Sequence, residues 1–433
     1  MRRNKPCTPW SPKVSMRSAL IPVVRSLSFE LSTEDPLAGL SSAAWRKLLS
    51  QTDRSQLTLP LGVRCARSLP PWVHRRIQRD LSNNAIRHER TMQVYREVER
   101  TLSSRGIRYA VLKGFAQWPF YCDDLRERPQ YDLDIYCKES DIDAAYRAIV
   151  SLGHEPFRQK AGTPLDHLAP LIRKTGWRPR DDYYDPEMPL TIELHFRFWD
   201  RGTECFDVTG ANTFWEGRCF REIAGLAIPT LDPADALSYT AWHLVRHLLR
   251  GDLRAYHVYE LAHFLQRTAK QDDFWSKWRD TRTSTLAETM AFRMAMDWFQ
   301  CRPNPMVQNL VQSLPVAVAR WFTVFGFSPL SALERPNKDE LFLHLALVHD
   351  SSDRLKIVKR RLFPFRFNPV VVDPHVPLPD AALRWKRRIL GTWFMGKRMI
   401  YHARAILPLI GNGLRWRLAR SSHRTHRAGT VPP

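Results

Sequence analysis

Residues 131–136, Tyr-Asp-Leu-Asp-Ile-Tyr, constrain this chain more than any other stretch. Tyr131, Leu133, Ile135 and Tyr136 favour a strand. In a strand, residues two apart share a face, about 7 Å from each other. Asp132 and Asp134 therefore project together from an otherwise apolar run. Two like charges beside a core repel each other and lose hydration. A cation between them relieves both costs. Hard carboxylate oxygens suit Mg²⁺ or Mn²⁺, which also bind phosphate oxygens. The pair thus points to phosphoryl or nucleotidyl transfer assisted by divalent metal.

The surrounding pattern predicts a small sheet between helices. Apolar spacings of three and four predict helices over 43–49 and 72–102, with Ser82 and Asn83 as a point where the second can break. Residues 108–112 read as a strand, Lys113-Gly114 as a turn into a short helix, and 131–137 as the second strand. Ser140 or Asp141 can cap a helix that Gly153 ends, and 154–158 reads as an edge strand. A charged, proline-rich loop covers 178–189. Over 190–198 the residues alternate, with Ile192, Leu194, Phe196 and Phe198 on one face and Glu193, His195 and Arg197 on the other. Asp232-Pro233 is a good helix start, and the pattern stays helical to about residue 350. The fold class expected is α+β, a small mixed central sheet flanked by N-terminal helices and a larger C-terminal helical region. The expected divisions are a flexible arm 1–35, rich in Pro6, Pro9 and Pro12; helices 36–105; a catalytic core 106–230; a helical domain 231–350; and a basic helical tail 351–433.

Glu193 is the next acid on a polar strand face, with His195 beside it. Pairing of its strand with the Asp132–Asp134 strand brings a third carboxylate to the first two. His243 and His247 lie one helical turn apart and can chelate a metal, but no third ligand stands out, so a cleft-lining role is the expectation. The seven cysteines are scattered without a Cys-x-x-Cys pair, which argues for a reducing compartment and against zinc bound by thiolates.

The arrangement resembles the nucleotidyltransferase superfamily built on the polymerase-beta-type core. It is most similar to a bacterial branch described only as nucleotidyltransferase family proteins. The matching residues are Leu112-Lys113-Gly114, Tyr121, Arg128, Tyr131-Asp132-Leu133-Asp134-Ile135, Gly153, Ile192-Glu193-Leu194-His195-Phe196, His243 with His247, and Tyr259-Glu260. The likeness spans roughly 85–265. It departs from the wider superfamily in having Lys113-Gly114 where Gly-Ser or Gly-Gly is usual, and a longer step from Gly114 to Asp132. It departs from the branch in having Glu193 and Glu260 where aspartate is expected.

The resemblance implies that Asp132, Asp134 and Glu193 hold Mg²⁺ or Mn²⁺ and that Glu193 takes the proton of the attacking hydroxyl. Lys113, Gly114, Arg128 and His195 would bind the nucleotide, an NTP such as ATP, with His243, His247 and Glu260 lining the cleft. The acceptor implied is a small molecule, sugar or peptide.

The formal net charge is +22. Residues 353–433 hold 18 Lys and Arg against three acids, a local excess of +15. Such a tail attracts nucleic acid or anionic lipid. Trp385, Trp393 and Trp416 among its basic residues support a nucleic-acid-end nucleotidyltransferase as one rival. Another is a degenerate nucleotide-binding core docked on an anionic membrane. No run of 18 apolar residues predicts a spanning helix. The expected place is the cytoplasm, or the inner face of the membrane.

Overall fold

The computed structural model describes residues 18–30, 33–156, 166–178, 180–282, 285–362 and 381–428. Residues 1–17, with Pro6, Pro9 and Pro12, and the proline-rich stretch 363–380 lie outside the described residues.

Seven strands form one mixed sheet: β1 Ala110–Val111, β2 Asp132–Tyr136, β3 His154–Pro156, β4 Leu171–Arg173, β5 Thr191–His195, β6 Cys219–Ile223 and β7 Leu226–Thr230. Their order is β3-β4-β5-β2-β1-β7-β6. The helices that matter early are α1 (Leu20–Ser26), α2 (Ser42–Ser55), α3 (Thr58–Arg64), α4 (Pro71–Ser104) and α5 (Ile142–Ser151). After the single turn α6 (Arg201–Glu204) the chain is helical from residue 233: α7 (Pro233–Arg250), α8 (Ala255–Arg267), α9 (Asp272–Asp280) and α10 (Leu286–Phe299). Then come α11 (Pro305–Gln312), α12 (Val316–Phe325), α13 (Ser328–Ser331), α14 (Glu340–Leu347), α15 (Ser351–Leu362) and α16 (Ala381–Ala428). The α+β class is as expected, with the helical region C-terminal to the sheet.

The parallel pair β2–β5 sits mid-sheet, in a register that sets Asp134 opposite Glu193 and Tyr136 opposite His195. Strand alternation sorts the faces. Leu133, Ile135, Ile192 and Leu194 pack with Met92, Tyr95, Val98 and Leu102 of α4 and Ala145, Ala148 and Ile149 of α5. The opposite face carries Asp132, Asp134, Glu193 and His195 toward the C-terminal helices.

Four expectations need correction. Ser82 and Asn83 do not break α4, which runs unbroken for 34 residues, about 51 Å at helical rise. Its Val73 and Ile77 join the helical core while Met92 to Leu102 join the sheet core, so tertiary packing outweighs two weak helix formers. Part of the stretch expected to be a flexible arm is structured: Leu20, Val23 and Val24 of α1 are buried in the helical core. The sheet is also larger than expected. It gains the three-residue β4 and the hairpin β6–β7, which turns at Ala224 and Gly225, both at positive φ (50° and 74°) as a two-residue loop of this twist requires. Finally, the basic helical tail expected over 351–433 contains two described helices, α15 and a 48-residue α16 with Pro408 inside it.

Asp232 caps α7 as expected, its side chain accepting from the Ala234 amide with Pro233 at the first position. The cap fixes where α7 begins, and thereby which of its residues face the sheet.

Candidate functional site

A cavity of about 290 Å³ lies between the polar face of β2–β5 and helices α7 and α8. All ten residues singled out in the sequence line it: Lys113, Gly114, Arg128, Asp132, Asp134, Glu193, His195, His243, His247 and Glu260. What they touch within it differs from residue to residue.

The carboxylates come first. Asp134 is 2% exposed and accepts at Oδ1 from Lys113 Nζ at 3.0 Å, with His195 Nε2 at 2.9 Å from the same oxygen. Burial alone would raise its carboxyl, but the Lys113 ammonium and His195 hold it below the ordinary carboxylate range. Burial and the Asp134 charge push Asp132 the other way, upward. Glu193 is raised to about 7, by burial and then by the charges of Asp134 and Asp132. Its Oε2 lies 3.8 Å from His195 Nε2. Donor atoms of Asp134, Glu193 and His195 fall within 4.8 Å of one another, a buried set able to hold a metal ion. Asp132 lines the same cavity one step along the same strand face. The fit to a dication is electrostatic: three crowded carboxyls, one held ionised and two held toward the neutral form, lose their mutual repulsion once a cation sits among them.

His195 faces backward as well as forward. It is 1% exposed, and its Nδ1 lies 3.9 Å from Asp166, which pairs with Arg246 of α7. The imidazole therefore links the Asp134 carboxylate to the helical wall.

The turn before β2 is built by Gln130. Gly114 has φ +72°, and a Cβ there would collide with the Gln130 side-chain amide. Gln130 Oε1 accepts from the Phe115 amide at 3.1 Å, and its Nε2 donates to the Asp132 carbonyl at 2.8 Å. The Lys113-Gly114 turn is thereby locked against the carboxylate strand, and glycine is required for conformation and for space.

Arg128 and Glu260 are partners. Arg128 Nε and Nη2 reach Glu260 Oε1 and Oε2 at 2.6 and 3.3 Å, and Nη2 also donates to Gln117 Oε1 at 2.9 Å. The loop holding Arg128 is anchored by α4: Asn84 Nδ2 donates to the Arg126 and Arg128 carbonyls, and Arg87 Nη2 to that of Gln130. Buried polar positions on α4 thus hold the site loop.

Sequence reasoning missed Gln130, Asp166, Arg246, Arg254 and His257, all of which line the cavity. Gln130 was available from strand parity, because 130, 132 and 134 share a face. His257 stands three residues before Glu260, on the same side of α8, a weaker signal. Asp166 and Arg254 had no sequence signal: backbone pairing of the 166–168 segment with the end of β5 places Asp166, and the docking of α8 places Arg254.

A sequence model of the family described as "Uncharacterised nucleotidyltransferase" matches residues 41–300, from the start of α2 through α10. No curated protein and no solved structure shows a significant match to the chain.

Proposed function

The chain belongs to this nucleotidyltransferase family, and from that premise we propose that it moves an NMP group from an NTP to an acceptor hydroxyl with release of pyrophosphate. The observation that carries the reading is the Asp134–Glu193 register across parallel strands, with Asp132 on the same face and a cavity in front.

Asp132, Asp134 and Glu193 would hold Mg²⁺ or Mn²⁺. Bound there, the ion neutralises phosphate charge and favours ionisation of the attacking hydroxyl. Glu193, near 7, is suited to accept the proton that the acceptor hydroxyl gives up. Lys113, only 15% exposed, supplies a fixed positive charge at the phosphates while keeping Asp134 ionised. Arg128 reaches a phosphate only by giving up part of its fork with Glu260, so its first task is to shape the wall. His195 positions Asp134 rather than meeting the nucleotide. The acceptor class carried by the resemblance is a small molecule, sugar or peptide.

A further observation favours membrane attachment through α16. Trp385, Ile389, Trp393, Ile400, Leu407 and Leu414 are all more than half exposed, at spacings of four, four, seven, seven and seven. That spacing lines one face. The opposite face packs inward, with Ala405 buried, Asn412 Nδ2 2.7 Å from Asp339 Oδ1, and Trp416 beside Phe325 and Phe342. An apolar outer stripe in a strongly basic segment suits an anionic lipid surface at the inner membrane face better than it suits nucleic acid. No single described helix is long and apolar enough to cross a membrane.

The test of the catalytic reading is calorimetric titration with each of the four NTPs, with and without Mg²⁺. Metal-dependent binding of one or more NTPs should vanish in Asp132→Ala/Asp134→Ala, with transfer reduced by at least the order of 10²–10³ seen on removing one charge-stabilising group. Full binding and turnover in the double variant would sink the assignment.

A further inference from the structure

Three imidazoles form the back wall of the cavity, and the carboxylate reading makes no use of them. His243 and His247 are one turn apart on α7, and His257 comes from α8. Ring centroids are 4.4 Å apart for His243–His247, 5.0 Å for His243–His257 and 5.2 Å for His247–His257. One ring nitrogen from each lies within 4.8 Å of the other two. His257 is thus a third nitrogen donor that the sequence did not reveal.

The hydrogen-bond arithmetic makes this cluster more than a packing accident. His247 Nδ1 is 3.0 Å from Asp252 Oδ1. An ionised carboxylate only accepts, so Nδ1 carries the proton and Nε2 of a neutral His247 presents a lone pair. Lys113 Nζ is 3.2 Å from His243 Nε2. An ammonium only donates, so His243 Nε2 presents a lone pair too. These two Nε2 atoms are 3.1 Å apart. Two lone pairs at that distance call for a cation or a proton between them. The separation is close to the edge, roughly 3.3 Å, of a tetrahedron with metal–nitrogen bonds of about 2.0–2.1 Å. Beside them, His257 Nδ1 is buried without a hydrogen-bond partner among the described residues.

We propose that His243, His247 and His257 form a second metal site, selective for Zn²⁺ over Mg²⁺, with a fourth position open to the cavity. Nitrogen ligands choose a borderline metal where the carboxylates choose a hard one. Asp252 is the outer carboxylate that fixes the tautomer of a ligating histidine. Burial, Lys113 and the neighbouring imidazoles keep His243 in the neutral form that ligates, and burial does the same for His257. The charged groups facing the cluster are Lys113, Arg128, Arg246 and Arg254 on the positive side and Asp252 on the negative. Lys113 already has Asp134 at 3.0 Å, so it can pass wholly to that partner when His243 gives its lone pair to the metal. A three-histidine site with one free position is the arrangement that takes a water or a substrate oxygen. The site stands whether or not the nucleotidyl-transfer reading does.

The experiment is Zn²⁺ titration of the full chain under saturating Mg²⁺, read by calorimetry and metal analysis, then Co²⁺ substitution read by the visible absorption of tetrahedral cobalt. One Zn²⁺ per chain is expected. His257→Ala should abolish it. Asp252→Asn should weaken it roughly tenfold or more, and Asp252 is 60% exposed, so that variant keeps the fold. Glu193→Gln, which disarms the carboxylate set, should leave Zn²⁺ binding unchanged. No Zn²⁺ bound by the wild type overturns the proposal, and so does Zn²⁺ that survives His257→Ala but is lost in Glu193→Gln.

Discussion

A carboxyl group crowded by other carboxylates and one sealed in an apolar core are both pushed toward neutrality, for different reasons, and this chain has each. At Glu193 the neighbours Asp134 and Asp132 add to burial, and a bound cation reverses the effect. At Glu288, on α10, only 1% is exposed, and burial raises the carboxyl from 4.5 to about 7. A folded value above the unfolded one means the native state holds the proton more tightly. Its stabilising contribution is full below about pH 4.5 and is lost as pH rises through about 7. Glu288→Gln, which mimics the neutral form, should remove this loss. Denaturant melts at pH 5 and pH 8 should show the variant gaining about 2.5 kcal/mol over wild type between the two. A constant wild-type-minus-variant difference across that range would refute it. The buried Arg128–Glu260 pair obeys a different rule, because removing one partner strands a charge away from water. For that reason neither residue is a clean probe of nucleotide binding.

At the scale of elements, α4 and α16 differ most from what their sequences suggest. Ser82 and Asn83 read as a weak point in α4, yet the helix passes through them because its two ends are buried in two different cores. In α16 the local pattern is amphipathic, but only packing shows which side is covered. Trp416 and Ala405 face the body, and the Trp393–Leu407–Leu414 side faces out. Lys397 Nζ stacks on Trp393 at 3.6 Å, setting a basic head beside an apolar surface. The full chain should float with vesicles containing anionic phosphatidylglycerol and not with neutral phosphatidylcholine. Trp393→Asp/Leu407→Asp should lose flotation without change in helix content. Absence of flotation, or salt-sensitive RNA binding in its place, would count against the membrane and for nucleic acid.

At the scale of the molecule, the cavity belongs to neither half. Its floor is the sheet and its wall is α7 and α8. Ligand binding that spans both should tie them together. At 100 times its dissociation constant, an NTP with Mg²⁺ should add about 2.7 kcal/mol of stability. Hydrogen exchange should slow together in β2, β5, α7 and α8. Protection confined to the strands would mean that the helical wall does not take part in binding.

The strand that carries Asp132 and Asp134, the partner strand with Glu193, and the capped start of α7 were legible in the sequence because each rests on local chemistry. Period-two alternation, a Lys-Gly turn and an Asp-Pro cap act within a few residues. The resemblance joined them into one family, and that membership holds. Strand β4 escaped because it is only three residues long; β6 and β7 are as long as β2 and β5 but carry Arg221-Glu222 and Pro229 in place of a clean apolar–polar alternation. Lys113 bound to Asp134, Arg128 committed to Glu260, Asp166 joined to Arg246, and His257 closing a triad with His243 and His247 were decided by the tertiary structure alone. The three ion pairs join groups 21 or more residues apart and the triad joins two helices, and local pattern says little about which polar groups of different elements burial will force to satisfy one another.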